Sequence, residues 1–224
     1  MKISIEWLQE YIDLPDDRAR LRADLTMAGL VVESVIGESD ACVFELEITS
    51  NRPDCLAYLG IAREIAALYG NRLKARPTAR SLSADEERIP YSIEIRDQDL
   101  CSRYVGLVLD NLQVAPSPLW MQRRLEASGM RPVNNIVDIT NYVLLECGHP
   151  LHAFDFDRLR EGKIIVARAH AGQAIVTLDG VERNLDEEML LINDGSRPVA
   201  IAGVMGGLDS SDLSPRRSPN PTVA

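Results

Sequence analysis

Apolar residues recur at helical spacing from the start of the chain: Trp7, Leu8, Tyr11 and Ile12 share one face of a segment that Ser4 can cap and Pro15 stops. A second helix is predicted over 17–28, with Leu21, Leu25 and Ala28 on a stripe and Gly29 supplying the left-handed position that ends it. The period then changes. Leu30 to Ile36 and Val43 to Thr49 concentrate β-formers and read as strands joined across Gly37-Glu38-Ser39-Asp40. Val43, Phe44, Leu46 and Ile48 surround Glu45 and Glu47, so one face of the second strand is wet. Asn51-Arg52-Pro53-Asp54 reads as a loop, because proline fixes the backbone while Asn and Asp bond locally to the chain. A helix follows from Leu56 to Tyr69, closed by Gly70.

The character changes again over 71–90, where Pro77, serines, arginines and Asp85-Glu86-Glu87 suggest a linker. Beyond it, Tyr91 to Ile95 and Tyr104 to Leu109 read as strands, and Pro118 to Ala127 as a helix ended by Gly129. Asn134 to Cys147 is a longer helix with Ile136, Ile139, Val143 and Leu144 on its apolar side and Gly148 as terminator. Strands are predicted at Lys163 to Ala169, Ala174 to Leu178, Met189 to Ile192 and Val199 to Val204, with Asp179-Gly180 as a hairpin turn. The class is α+β. A first domain over 1–75, a linker over 76–89, a second domain over 90–207 and a disordered tail over 208–224 are expected.

The 224 residues, 46% hydrophobic, suffice for one large or two modest cores. No apolar run reaches the roughly 18 residues of a membrane span, and no basic stretch with an apolar signal core opens the chain. A cytoplasmic protein without a membrane partner is the expectation. Cys42, Cys55, Cys101 and Cys147 form no CxxC pair, and His149, His152 and His170 complete no ligand set, so no metal site is predicted. The net charge of −10 argues against binding nucleic acid chiefly by phosphate neutralisation. Any RNA contact must be local, and Arg123, Arg124 and Arg131 form the best basic cluster, with a solvated helix face as the plainer reading.

Several stretches in order carry a resemblance. They are Met1 to Leu30; Ile48-Thr49-Ser50-Asn51-Arg52-Pro53-Asp54-Cys55 with Gly60-Ile61-Ala62-Arg63-Glu64; Arg131 to Val143; Pro150 to Asp155; Thr177-Leu178-Asp179-Gly180; and Ala202 to Gly207. Together they resemble the bacterial phenylalanine-tRNA ligase beta subunit, over residues 1 to 207. The resemblance implies a small helix-plus-strand N-terminal domain followed by an α+β editing-type domain with a mainly antiparallel sheet. Two departures stand out. The family's usual inserted oligonucleotide-binding barrel has no room between the strands ending near Ile36 and beginning at Val43. The family's acidic, threonine-rich continuation and its carboxylate-bearing strand are not matched by Leu208 to Ala224, which reads as a truncated or frame-altered end.

What the resemblance implies chemically is correction of an error. A pocket that accepts phenylalanine rejects tyrosine only weakly, so a second site hydrolyses tyrosine mischarged onto the phenylalanine tRNA. By the motif match, His152 and Asn141 are the catalytic candidates, and Thr140, Pro150 and Gly206 would bind substrate. Asn and Thr can hydrogen-bond an amino group, ester or water; Pro150 and Gly206 can wall a flat ring; His152 can orient the attacking water. Their structural readings are a helix-internal bond, a backbone-satisfied histidine and a turn glycine. Arg52 and Asp54 read as a loop ion pair. The implied partners are the ligase alpha subunit, in the family's heterotetramer, and tRNA(Phe). No cofactor belongs to this chain, ATP and Mg serving only the complete ligase assembly. A freestanding trans-editing deacylase and a non-catalytic RNA- or protein-binding remnant are the alternatives.

Overall fold

A computed structural model describes residues 1–38, 41–75 and 89–208. It shows an α+β chain whose contacts form two units. Among the described residues, one unit comprises 1–75 and 116–151, the other 89–115 and 152–208. The linear division at 76–89 instead assigns 116–151 to the second domain; the linker and the tail lie, but for Ile89 and Leu208, outside the described residues.

The first unit begins with β1 (Lys2–Ser4) and α1 (Ile5–Leu8). The Ser4 side chain accepts a hydrogen bond from the Trp7 amide at 3.3 Å, and the apolar face it starts, Trp7, Leu8, Tyr11 and Ile12, is buried. Helix α2 (Arg18–Met27) is capped by Asp17, and Gly29 at φ +93° turns the chain out of it. Strands β2 (Val31–Ile36) and β3 (Val43–Glu47) join β1 in an antiparallel sheet of order β1-β3-β2. Phe44 and Leu46 point into the core, with Glu47 outside, as the alternation requires.

The stretch read as a loop tightens into a single 3-10 turn over Pro53–Leu56, proline taking the first position, where no N–H is needed. Helix α3 (Tyr58–Tyr69) follows and ends at Gly70, φ +68°. Gly60 fixes the packing of that turn on α3: a Cβ there would lie 1.7 Å from the carbonyl oxygen of Asp54. Two further helices complete the unit, α4 (Leu119–Ala127) and α5 (Asn135–Cys147). Met121, Leu125 and Leu145 extend the same core as Trp7, Phe44 and Tyr58.

Helix α5 ends at Gly148 as predicted and starts one residue later than predicted, with Asn134 as its cap, but its inward face is a different one. Asp138 and Leu145 are its buried residues and Tyr142 packs on the core, whereas Ile139 is 46% exposed and Ile136, Val143 and Leu144 are half-buried. The reason is polar. Asp138 turns inward because its carboxylate accepts from the Val133 amide at 2.8 Å and from the buried Ser117 hydroxyl, tying two preceding loops to the helix. Asp138→Ala removes both partnerships from a dry site and should cost about 2 kcal/mol in urea-denaturation stability, the scale of a buried group left unpaired. A loss below about 0.5 kcal/mol would mean water replaces the carboxylate.

In the second unit, β4 (Ser92–Ile95), β5 (Lys163–Arg168), β8 (Leu190–Asn193), β9 (Pro198–Ile201) and β10 (Met205–Gly206) form a sheet of order β10-β9-β8-β5-β4. Only the β4–β5 pairing is parallel, so the sheet is mainly antiparallel. Strands β6 (Ala174–Val176) and β7 (Glu182–Asn184) make a hairpin with Gly180 at φ +75° in its loop. The strand read over Val199 to Val204 is shorter: it stops at Ile201 and reverses through Gly203, φ +70°, into β10.

Tyr104 to Leu109 is not a strand, contrary to its alternating sequence. It lies against side chains of the segment around β4: the Tyr91 hydroxyl donates to the Gly106 carbonyl at 2.8 Å, and a Cβ on Gly106 would sit 3.0 Å from Ile93 Cδ1. Its backbone makes only an isolated bridge at Leu109.

Candidate functional site

Helix α5 divides its residues between two tasks. Asn134 caps it, accepting from the Ile136 and Val137 amides at 3.1 and 3.0 Å; Asp138, Tyr142 and Leu145 anchor it to the first core; Gly148 closes it. Thr140 and Asn141 serve none of these. The Thr140 hydroxyl donates to the Val137 carbonyl at 2.7 Å, which leaves its oxygen able to accept. The half-buried Asn141 amide makes no hydrogen bond among the described residues, so both its donor and acceptor ends are available.

The following turn is divided in the same way. Phe154 is buried in the second core, and the buried Asp155 caps the 3-10 turn Phe156–Arg158 by accepting from the Asp157 amide at 3.1 Å. Pro150 and His152 are exposed. The His152 ring meets Phe154 edge-on, with centroids 4.5 Å apart. Desolvation by the surrounding protein holds the imidazole below its ordinary pKa, which favours the neutral form able to accept a proton or orient water. Because the folded pKa lies below the unfolded one, the contribution of His152 to stability is full above about pH 6.5 and is lost as pH falls below it. The exposed side chain is screened, so the slope is shallow. Urea midpoints at pH 8 and pH 5 should converge slightly in His152→Gln; parallel losses in both proteins would contradict this.

Gly206 is buried on β10 opposite Ala200. Its neighbour Gly207 has a packing duty, since a Cβ there would stand 2.8 Å from the Val199 carbonyl oxygen. Thr177 and Asp179 belong to the hairpin: the buried Thr177 hydroxyl donates to Asp179 at 2.6 Å, and that bond is the first cause holding the Asp179 carboxyl below its usual pKa. Thr140, Asn141 and Pro150 fall in the first unit and His152 and Gly206 in the second.

The basic cluster read from the sequence is not uniform. Arg123 and Arg131 are exposed and have no ion-pair partner among the described residues. Arg124 is held by the fold. Its guanidinium pairs with Glu10, donates to the Tyr142 hydroxyl at 2.7 Å and lies over Trp7 and Trp120 at 5.7 and 5.3 Å from the ring centroids. The sequence gives no sign of this, because Glu10 and Tyr142 are remote in the chain.

A second arrangement was legible only in part. Arg52 forms the expected ion pair with Asp54, bidentate at 3.0 and 2.9 Å, but also binds Glu64 of α3 at 2.7 Å. Asp54, Cys55 and Glu64 bring their ligand-type atoms within 4.8 Å of one another. The Arg52 guanidinium contacts all three and supplies the positive charge, an arrangement that serves to join the turn to α3. Accordingly the Asp54 carboxyl is lowered to about 2, chiefly by its bond from Arg52, while burial pushes the Cys55 thiol up to about 12.

The family described as the B3/4 domain matches residues 100–212. The phenylalanine--tRNA ligase beta subunit of Carboxydothermus hydrogenoformans is 55% identical over 180 residues, 80% of this chain and 22% of that protein. Its counterpart from Moorella thermoacetica is 46% identical over 213 residues, 95% of this chain and 25% of that protein. The chain thus spans about a quarter of the length of these curated relatives. A crystal structure of an N-terminal fragment of the phenylalanyl-tRNA synthetase beta-subunit from Pyrococcus horikoshii aligns with a TM-score of 0.46 at 14% identity, covering 100% of this chain and 66% of the fragment. With a family model matching half its length and relatives 46 to 55% identical, the chain belongs to the B3/4 domain family found in phenylalanine--tRNA ligase beta subunits.

Proposed function

We propose that this chain acts as part of a phenylalanine--tRNA ligase beta subunit in the cytoplasm, supplying scaffold and part of a site that hydrolyses tyrosine mischarged onto tRNA(Phe). The observation that carries the reading is the division of labour on α5: in a helix whose caps and anchors are otherwise accounted for, Asn141 keeps an amide with no partner among the described residues. A half-buried polar group without a structural duty fits a substrate contact better than a fold contact. Asn141 would hold the ester or the amino group, Thr140 would accept a hydrogen bond beside it, and neutral His152 would orient the attacking water. By the resemblance, Pro150 in the first unit and Gly206 in the second are each candidates for contact with the aromatic ring. The ligase alpha subunit and tRNA(Phe) are the proposed partners, and ATP and magnesium belong to the complete assembly.

The test is deacylation of tyrosyl-tRNA(Phe) beside phenylalanyl-tRNA(Phe), by the chain as it stands and by an assembly carrying it with the alpha subunit. The assembly should hydrolyse tyrosyl ester in preference, the chain alone, which supplies only part of the site, should discriminate less by about one to two powers of ten, and His152→Ala should lower the assembly's rate by about 10- to 100-fold, the lower range for a residue assisting proton transfer. Pyrophosphate exchange by the chain alone should stay at background. Hydrolysis unaffected by His152→Ala, in chain and assembly alike, would remove the proposed water-orienting role.

A further inference from the structure

Trp120 stands out because the fold presents it instead of hiding it. The chain has two tryptophans. Trp7 is fully buried, whereas Trp120 is 49% exposed on the first turn of α4, beside Leu119, which is 67% exposed. Half of a large ring left in water is usually mobile, yet this one is braced from two sides. Tyr142 meets it edge-on at 5.6 Å and 86°, and the Arg124 guanidinium lies 5.3 Å from its centroid, itself fixed by Glu10 and Tyr142. The result is a preorganised aromatic surface whose orientation costs nothing further on binding.

Its surroundings suggest what it meets. Arg123, three positions along the same helix, faces the same side as Trp120 at helical spacing. It is exposed with no ion-pair partner among the described residues, and Arg131, just beyond the end of α4, is in the same condition. Arg168 is paired with Asp97 and Asp99, Arg183 with Asp179 and Arg197 with Asp194, whereas Arg22, Arg63, Arg72 and Arg103 are exposed without an ion pair among the described residues; what sets Arg123 apart is the braced Trp120 ring three positions before it. In a chain of net charge −10, an aromatic face with the uncompensated Arg123 guanidinium on the same side of its helix complements a ligand with a flat ring and a negative backbone.

We propose that the α4 surface around Trp120 and Arg123 binds single-stranded RNA, an unpaired base stacking on the Trp120 indole while Arg123 meets an adjacent phosphate. This rests on the reading that the chain handles an aminoacylated RNA, and it assigns the contact to a residue outside the hydrolytic set. It also replaces Arg124 as a phosphate contact, since Arg124 acts beneath the ring as its support.

A short, unstructured single-stranded RNA of about a dozen nucleotides is the probe, a length within reach of one stacking groove. Its titration into the full chain should quench the fluorescence of the accessible tryptophan. Trp120→Ala should abolish the quenching and weaken binding, followed by filter retention, about tenfold; Trp120→Phe should keep most of the affinity. Arg123→Ala should lower the slope of log K against log salt by about 0.7, the contribution of one single-strand phosphate contact. Because all three substitutions are on the surface, melting should not move; if Trp120→Ala does lower it, Trp120→Phe and Arg123→Ala decide the matter. Unchanged affinity and slope in the variants would overturn the proposal, as would shielding of Trp120 from iodide by self-association before RNA is added, which would make the face a protein interface. Tyrosyl-ester hydrolysis that survives while the α4 variants bind RNA normally would sink this site alone, whereas RNA binding that depends on Trp120 without any hydrolysis would sink the editing reading alone.

Discussion

Replacing Trp7 by alanine should destabilise the first unit by about 3 to 5 kcal/mol, the range for deleting a large buried aromatic. The side chain is fully buried between two rings, Tyr58 at 3.9 Å and Tyr142 at 4.4 Å between centroids, and its indole N–H donates to the Tyr11 hydroxyl at 2.9 Å. Tyr11 in turn donates to Glu146 at 2.8 Å, so one residue of α1 links a bond running to α5. Burial and the Glu146 bond both push the Tyr11 phenol well above its usual pKa, so the network holds its proton throughout the working pH range. Trp7→Phe keeps most of the apolar contact and loses the donor; it should cost about 1 to 2 kcal/mol. Urea denaturation followed by circular dichroism reads both. A change within 0.5 kcal/mol for Trp7→Ala would show that the aromatic cluster is not the keystone described.

Gly60→Ala should be at least as damaging as an ordinary overpacking change, about 3 kcal/mol or more, although alanine favours a helix over glycine by about 1 kcal/mol. The added methyl would stand 1.7 Å from the Asp54 carbonyl oxygen and 2.6 Å from its carbonyl carbon. Both are backbone atoms, so no side-chain rotation relieves the clash and the Pro53–Leu56 turn must move off α3. That movement separates Arg52 from Glu64, now 2.7 Å apart. The expected signature is a lower urea midpoint together with an Asp54 carboxyl titrating above its present value of about 2, followed by NMR. Alanine tolerated with an unchanged midpoint would mean the turn is not seated on the helix as described.

Local signals were well written in the sequence. Ser4 is read as a cap from the sequence, and Gly29, Gly70, Gly129 and Gly148 end helices at positive φ as read, because capping and left-handed turns depend on the residue and its immediate neighbours; Asp17 and Asn134, read as first helical residues, are caps. What failed was whatever a distant partner decides. Asp138 faces inward because Ser117 and Val133 receive it, so the sequence stripe of Ile136, Ile139 and Val143 was assigned the wrong side. Tyr104 to Leu109 alternates like a strand but is held by Tyr91 and Ile93 side chains. The site followed the same rule. Thr140, Asn141, Pro150, His152 and Gly206 came from a resemblance, and no spacing in the chain marks them; the structure adds which of their neighbours are engaged elsewhere. Arg124 was grouped with Arg123 and Arg131 by adjacency, and its bonds to Glu10 and Tyr142 separate them.

On the proposed function, α5 carries two sets of residues, one that holds the fold and one that would meet a substrate. The most direct measurement pairs Asp138→Ala with Asn141→Ala, reading urea stability and tyrosyl-tRNA(Phe) hydrolysis for each, in an assembly with the alpha subunit. Asn141→Ala should leave stability within about 0.5 kcal/mol of the parent, as for a surface change away from packed features, while lowering hydrolysis by about tenfold or more, the scale of one lost hydrogen bond to a reacting group. Asp138→Ala should cost stability first. An Asn141→Ala protein that loses stability while its hydrolysis stays unchanged would contradict the division on which the functional reading stands.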